Sequence, residues 1–375
     1  FLINMKYKII TILGTRPEII RLSSVIKKLN NYFDHKLVNT NQNFDTNLNE
    51  IFFKDLGITK PDYIYKNFKK TNSIKFLANV FNFVDKILDK EKPDAVLYLG
   101  DTNTALTSIC AKKKKIPIFH VEAGNRCFDE NVPEEVNRRI IDHIADVNMT
   151  YSKYAEQNLI SEGIKRDQII KVGSPLYEVY QNNLNEINKS KILEKNNLKS
   201  KKYILCSLHR QETVDDDNKF GKILNAIQKF AVSKKIQVVF STHPRTEKKI
   251  LSIKIKKKVF KFMRPFGFRD YAKLMMNAEI VVSDSGSITE ETSILGIKSV
   301  NLRETFERQE GLEQSLCLLS GISEKEIISS LNLALNLNPP KKDMLGDYRQ
   351  ANVSESIVKI IQSYVPYVNK YIWKK

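Results

Sequence analysis

One unit recurs along this chain and limits what it can fold into. A short apolar run ends in a polar cluster, and a segment with apolar residues at helical spacing follows. The apolar runs fall at 8–13, 36–39, 95–99, 117–121, 147–150 and 169–172, then at 203–207, 237–241, 259–262, 280–283 and 299–302. Helical patterns at 17–29, 73–89, 105–111, 134–144, 219–230, 269–276 and 288–295 alternate with them. Pro17 sits near the start of the first pattern, where its missing N–H costs nothing. Runs and helical patterns in alternation build parallel sheets covered by helices on both faces, so the expected class is α/β. A length of 375 residues exceeds what one core organises, so two doubly wound, Rossmann-like domains facing a cleft are expected. The first should span 1–180 and be joined by a C-terminal helix at about 354–375; the second should span 200–350. The Asn- and Lys-rich segment 182–202 reads as the linker between them, with some helix in it.

Composition removes several classes of function. No apolar stretch approaches the roughly 20 residues of a membrane-spanning helix. The start, FLINMKYKIITIL, has only a short apolar run with no small-residue cleavage site, so a signal peptide is not expected. Met5 reads as the natural start, and a cytoplasmic enzyme follows as the expectation. The net charge of +18 raises the question of nucleic acid, but the lysines are spread along the chain without interleaved aromatic residues. No nucleic-acid partner is therefore expected. Four cysteines form no C-x-x-C pair, so neither a zinc site nor a disulfide framework is indicated. Cys110 and Cys206 read as core residues, whereas Cys127 adjoins a polar cluster. No G-x-G-x-x-G follows the first run, and no bound cofactor is expected.

The chemistry lies in the clusters at the ends of the runs: GTRPE (14–18), GDTNT (100–104), HVEAGNR (120–126), PEEVNRR (133–139), SLHRQE (207–212) and SDSGS (283–287). Ser285, Gly286 and Ser287 join a strand to a helix, where backbone N–H groups and hydroxyls can hold phosphate oxygens. Glu290 or Glu291, one turn on, can accept from ribose hydroxyls. Arg16 offers a fork for a phosphate, and Arg21 is one turn further along the same face. Asp101, Glu122 and Glu134 stand at three element ends and can converge on one sugar carbon. Each acid also has a simpler reading, as a helix cap, a partner of Arg126 or Arg138, or a first-turn acid. His209 and His243 follow successive strands of the second half, where a histidine can hold a diphosphate or protonate a leaving group. Glu307 and Arg308 lie after the run ending at Leu302 and can close the nucleotide side. The mixture suits an enzyme acting on a nucleotide-linked substrate.

Taken in order, GTRPE, GDT, HVEAGNR, PEEVNRR, SLHRQE, SDSGS and LRETFER resemble the non-hydrolysing UDP-N-acetylglucosamine 2-epimerases, from about Gly14 to Arg308. The resemblance implies two Rossmann-like domains of the glycosyltransferase-B type, a homodimer, and a last helix that returns to the first domain. It implies inversion at C2 of a UDP-N-acetylhexosamine without nicotinamide, through elimination of UDP to a 2-acetamidoglycal and its re-addition. Asp101, Glu122 and Glu134 then match acid/base carboxylates, while Arg16, His209, Ser285, Glu291 and Arg308 match diphosphate- and uridine-binding positions. Arg138 matches an arginine of the substrate site. Three positions depart from the family's usual pattern: Arg21 replaces a lysine, Gln42-Asn43 replaces Gln-His, and Ser287 replaces a glycine. The second departure bears on the allosteric UDP-GlcNAc site of some bacterial members. The first, with GNRCFD (124–129), resembles a capsule and O-antigen subgroup that makes UDP-N-acetyl-L-fucosamine. The rival readings are a UDP-sugar-dependent glycosyltransferase of the same fold, a hydrolysing epimerase and a nucleotide-sugar-binding protein.

Overall fold

The computed structural model describes residues 6–42, 46–66, 73–242, 246–247, 249–250, 255 and 258–375. The chain divides into two compact units, one formed by residues up to Gln181 together with Gln350–Lys375, the other by Asn182–Arg349. The α/β class expected from the alternation is what the chain has. Each unit holds one wholly parallel sheet with helices between successive strands.

In the first unit the strands are β1 (Lys8–Leu13), β2 (Asp34–Asn39), β3 (Tyr63–Ile64), β4 (Ala95–Leu99), β5 (Ile118–Ala123), β6 (Val147–Thr150) and β7 (Ile169–Lys171). Their spatial order is β3-β2-β1-β4-β5-β6-β7. In the second, β8 (Tyr203–Ser207), β9 (Gln237–Ser241), β10 (Phe260–Met263), β11 (Ile280–Ser283), β12 (Ser299–Leu302) and β13 (Leu318–Ser320) lie in the order β10-β9-β8-β11-β12-β13. In both sheets the strand order reverses at one place, between β1 and β4 and between β8 and β11. Loops leaving the carboxyl ends of two such strands diverge to opposite faces and open a crevice, which is where α/β sheets bind ligands.

The strands form where they do because both faces of each sheet are covered. Val96, Leu97 and Tyr98 of β4, like Ile204, Leu205 and Cys206 of β8, are all at most 1% exposed, so no alternation of polar and apolar residues is needed. The core of the first unit joins Ile10, Val38, Val96 and Ile118 to Val80, Val84 and Ile141 from the helices. That of the second joins Ile204, Val238 and Val282 to Phe220, Ile227 and Leu331.

The segment 182–202 carries the helix expected of it. Helix Leu176–Lys189 runs through its first part and Ile192–Lys195 forms a further turn. Helix Val353–Tyr367 packs against helix Arg16–Tyr32 within the first unit. Its start is fixed by buried Glu178, which accepts from the Ser354 backbone N–H at 2.9 Å and from its hydroxyl at 2.5 Å. Among the described residues no helix is long and apolar enough to cross a membrane, and no group of His, Cys, Asp and Glu could hold a metal ion.

Candidate active site

At the reversal of the first sheet, the loops after β1, β2 and β4 touch. A Cβ added at Gly14 would meet Thr40 Oγ1 at 2.2 Å and Thr104 Oγ1 at 2.3 Å, so only glycine allows this approach. The two threonine hydroxyls are themselves 2.7 Å apart. Glu18 ties the loops together from below: Oε2 accepts from the N–H groups of Gly14 (2.5 Å) and Thr15 (2.9 Å), and Oε1 from the Thr102 hydroxyl (2.6 Å). Burial raises its carboxyl from the ordinary 4.5 to about 7 despite those bonds, and the nearby charge of Asp101 pushes the same way. Arg16, at the start of the following helix, is half-buried with its guanidinium 6.0 Å from the centre of the Phe52 ring.

Asp101 follows β4. Arg138 donates to its Oδ2 through Nε (2.9 Å) and holds Nη2 2.6 Å from the same oxygen in an ion pair, and Asn137 donates to its backbone carbonyl at 2.9 Å. The other carboxylate oxygen of Asp101 has no hydrogen bond among the described residues, and the side chain is 25% exposed. Arg138 is fixed in turn by Glu135 Oε2 at 2.9 Å. Glu135 is fully buried and accepts from the N–H groups of Cys127 (3.0 Å) and Phe128 (3.2 Å). Burial pushes its carboxyl up, but those N–H groups and the Arg138 charge outweigh this and hold it below its ordinary range.

Glu122 lies at a bulge where the β5–β6 register shifts, and its backbone is left-handed, with φ of +70°. A non-glycine residue in that region costs about 1–3 kcal/mol and persists only when its surroundings over-determine it. The strain turns the carboxylate toward the reversal point: Oε2 is 3.8 Å from Arg21 Nη1, and a Cβ at Gly100 would meet it at 3.7 Å. Arg21 is buried, so the lysine-to-arginine departure places a guanidinium inside the crevice rather than on the surface. Glu134 is half-buried in the first turn of helix Pro133–Ile144, one residue before Glu135.

In the second unit Asp284 plays the part that Glu18 plays in the first. It is fully buried, and it accepts from the N–H of His209 at 3.1 Å and of Arg210 at 2.9 Å, joining the β8 and β11 loops. His209 Nδ1 is 3.5 Å from the same carboxylate. Ser285, Gly286 and Ser287 form the turn after β11. The Ser285 and Ser287 hydroxyls are 3.0 Å apart, and Ser287 donates to Glu291 Oε2 at 2.9 Å. Glu307 stands beside this turn between two arginines, 3.2 Å from Arg210 Nη2 and 2.7 Å from Arg303 Nη2. A Cβ at Gly286 would come within 2.3 Å of Glu307 Oε1. Arg308 is buried, with Nη1 3.8 Å from Glu290.

The structure therefore brings Arg21, Asp101, Glu122 and Arg138 together in one unit and His209, Ser285, Gly286, Ser287 and Glu291 together in the other. His243 and Asn43 lie outside the described residues. Reading the sequence missed Glu18 as a bridge, Glu135, Asn137, Asp284 and Arg303. Their signal was polarity in places that should be apolar. Glu135, Arg138 and Asp142 recur at helical spacing on the face that also buries Ile141.

A sequence profile of the UDP-N-acetylglucosamine 2-epimerase family matches residues 27–362. A UDP-N-acetylglucosamine 2-epimerase of Methanococcus maripaludis is 36% identical over 369 residues, covering 94% of this chain and 98% of its own. The structure of a UDP-N-acetylglucosamine 2-epimerase from Rickettsia bellii superposes with a TM-score of 0.91 at 42% identity, covering 99% of this chain and 100% of that one. That of Methanocaldococcus jannaschii UDP-GlcNAc 2-epimerase, in complex with UDP-GlcNAc and UDP, gives 0.89 at 34% identity, covering 95% and 99%.

Proposed function

The chain belongs to the UDP-N-acetylglucosamine 2-epimerase family and is an isomerase, and from that premise we propose how its side chains divide the reaction. The substrate is a UDP-N-acetylhexosamine, either UDP-GlcNAc and UDP-ManNAc or a 6-deoxy-L-hexosamine analogue, in a route to a surface polysaccharide. The glycosyltransferase reading is not favoured, because the match to the epimerases spans nearly the whole of both chains.

C2 of such a sugar has no neighbouring carbonyl, so its C–H bond is not acidic enough for direct deprotonation. A departing diphosphate changes that. The C1–O bond breaks with its electron pair going to UDP, a carboxylate takes the C2 proton, and the C–H pair forms the C1=C2 bond of a 2-acetamidoglycal. In the return step a second acid delivers a proton to the opposite face of C2 while a diphosphate oxygen re-forms the bond to C1. The reaction needs two acids at different positions around one carbon and a cationic cradle for UDP.

The observation that carries this reading is the interleaving of Arg138, Asp101, Glu122 and Arg21 at the reversal of one sheet. Each acid has its own arginine, so the two are held separately and need not share a proton. Glu134 is proposed as the further acid. In the second unit the turn at Ser285–Ser287 and His209 take the diphosphate, and Glu291 takes the ribose. Arg16 and Arg308 complete the UDP contacts, His243 adds to them from outside the described residues, and two copies of the chain associate. The test is recovery of the nucleotide sugar after turnover in D2O. Deuterium at C2 is expected in the product and in re-formed substrate, and protium retention at C2 overturns the elimination route.

A further inference from the structure

Glu122 keeps a strained backbone, and something must hold it there. The residues on either side lead to one carboxylate. Two positions earlier, the His120 ring is fully buried, with Nδ1 2.8 Å from Asp142 Oδ1 and Nε2 2.9 Å from the Gly100 carbonyl oxygen. Two positions later, the Gly124 N–H donates to Asp142 Oδ2 at 3.1 Å. Arg126 Nη1 donates to the same oxygen at 2.7 Å, and the rest of its guanidinium pairs with Glu162 at 2.7 and 2.6 Å. Asp142 comes from helix Pro133–Ile144, the helix whose Arg138 holds Asp101.

We propose that Asp142, acting through His120, Gly124 and Arg126, is a positioning residue that clamps the bulge on both sides of Glu122 and fixes the Gly100–Asp101 turn beside it. Asp142 does not touch the reacting atoms. Its two oxygens span the five-residue stretch from His120 to Gly124, so Glu122 cannot relax to an ordinary strand conformation without breaking a buried hydrogen bond. The His120 ring carries the same constraint to β4 through the Gly100 carbonyl, which immediately precedes Asp101. One buried cluster thus sets the positions of two acids on adjacent strands. The inference rests on the proposed acid role of Glu122.

The variants are Asp142→Ala, which removes the clamp but leaves Arg126 paired with Glu162, and His120→Phe, which fills the ring's space without its nitrogens. Asp142→Asn is the conservative partner: its oxygen can still accept from Gly124 and Arg126, while its amide nitrogen can donate to His120 Nδ1. Turnover of UDP-GlcNAc and UDP affinity by calorimetry are measured on each full-length variant. The clamp predicts that Asp142→Ala and His120→Phe lower kcat at least tenfold with KM and UDP affinity within about twofold, and that Asp142→Asn recovers most of the rate. Wild-type turnover in either of the first two overturns it. So does a loss of kcat and UDP affinity in equal proportion, or an Asp142→Asn variant as slow as Asp142→Ala. Glu122→Gln is assayed alongside. If Glu122→Gln stays fully active, the acid assignment fails, whereas an inactive Glu122→Gln with an active Asp142→Ala refutes the clamp alone.

Discussion

Glu18 shows how much of this site is settled by single buried groups. Its carboxyl is 2% exposed and raised to about 7, so the native state holds its proton more tightly than the unfolded chain does. The linked stability is fully present below pH 4.5 and is lost as pH rises through about 7, a change of about 3 kcal/mol. His35 acts in the opposite sense on neighbouring β2. Burial lowers its ring from 6.5 to about 4, so its contribution is lost as pH falls through that window. The two slopes mask each other in the wild-type protein, and a difference measurement separates them. Glu18→Gln can keep the N–H groups of Gly14 and Thr15 on its amide oxygen and donate to the Thr102 hydroxyl, but it cannot ionise. Urea unfolding of both proteins from pH 4 to pH 8 should show the variant gaining about 3 kcal/mol relative to wild type across the range. A pH-independent difference would mean that the carboxyl is not raised.

Among the elements, what could be read from the sequence followed burial. β1, β4, β6, β8, β9, β11 and β12 have the limits expected from their apolar runs, because strands covered on both faces read as continuous apolar segments. β3 and β13, of two and three residues, are too short to stand out from their loops. Helix Leu176–Lys189 was hidden by its Asn and Lys content, since its buried stripe of Val179, Tyr180 and Ile187 is interrupted by buried Asn183. Helix Glu324–Asn336 carries a capping box at Ser323 and Glu326 and buries Ile327, Leu331 and Ala334, a pattern that was legible but overlooked. In helix Pro133–Ile144, Glu134 stands out in the sequence from its place at the helix start, whereas that place does not mark its neighbour Glu135 as the buried group that organises Arg138. Arg138 donates through Nε to Asp101 and through Nη1 to Glu135 while Nη2 stays in ion-pair contact with Asp101, a fixed fork that a lysine's single nitrogen cannot reproduce. Arg138→Lys should therefore reduce kcat at least tenfold while circular dichroism and thermal midpoint change little. Retention of wild-type kcat would show that charge alone, and not the fork, holds Asp101.

At the scale of the whole molecule, the last segment of the chain belongs to the unit where the chain began, and its energetic weight can be bounded. Val353, Ile357, Ile361, Val365 and Val368 are each at most 1% exposed. Burying each side chain stabilises by about 1.5–3 kcal/mol, so together they contribute on the order of 10 kcal/mol, comparable to the 5–15 kcal/mol of a typical domain. Removing them also strips the Ser354 hydrogen bonds from buried Glu178 and uncovers the face of helix Arg16–Tyr32 that leads back to Gly14 and Glu18. The second unit loses nothing of its own, because its sheet and core lie within Asn182–Arg349. A chain ending at Arg349 should therefore lose amide-exchange protection in β1, β4 and β5 while β8 and β11 keep theirs. Such a chain should not epimerise, yet it should still bind UDP if the turn at Ser285–Ser287 carries most of that affinity. Exchange measured by mass spectrometry on the truncated and full-length proteins decides the first point, since equal protection in β1 and β4 would mean that the terminal helix is only an appendage. Calorimetry with UDP decides the second: affinity lost together with the first unit would place the main nucleotide contacts there instead.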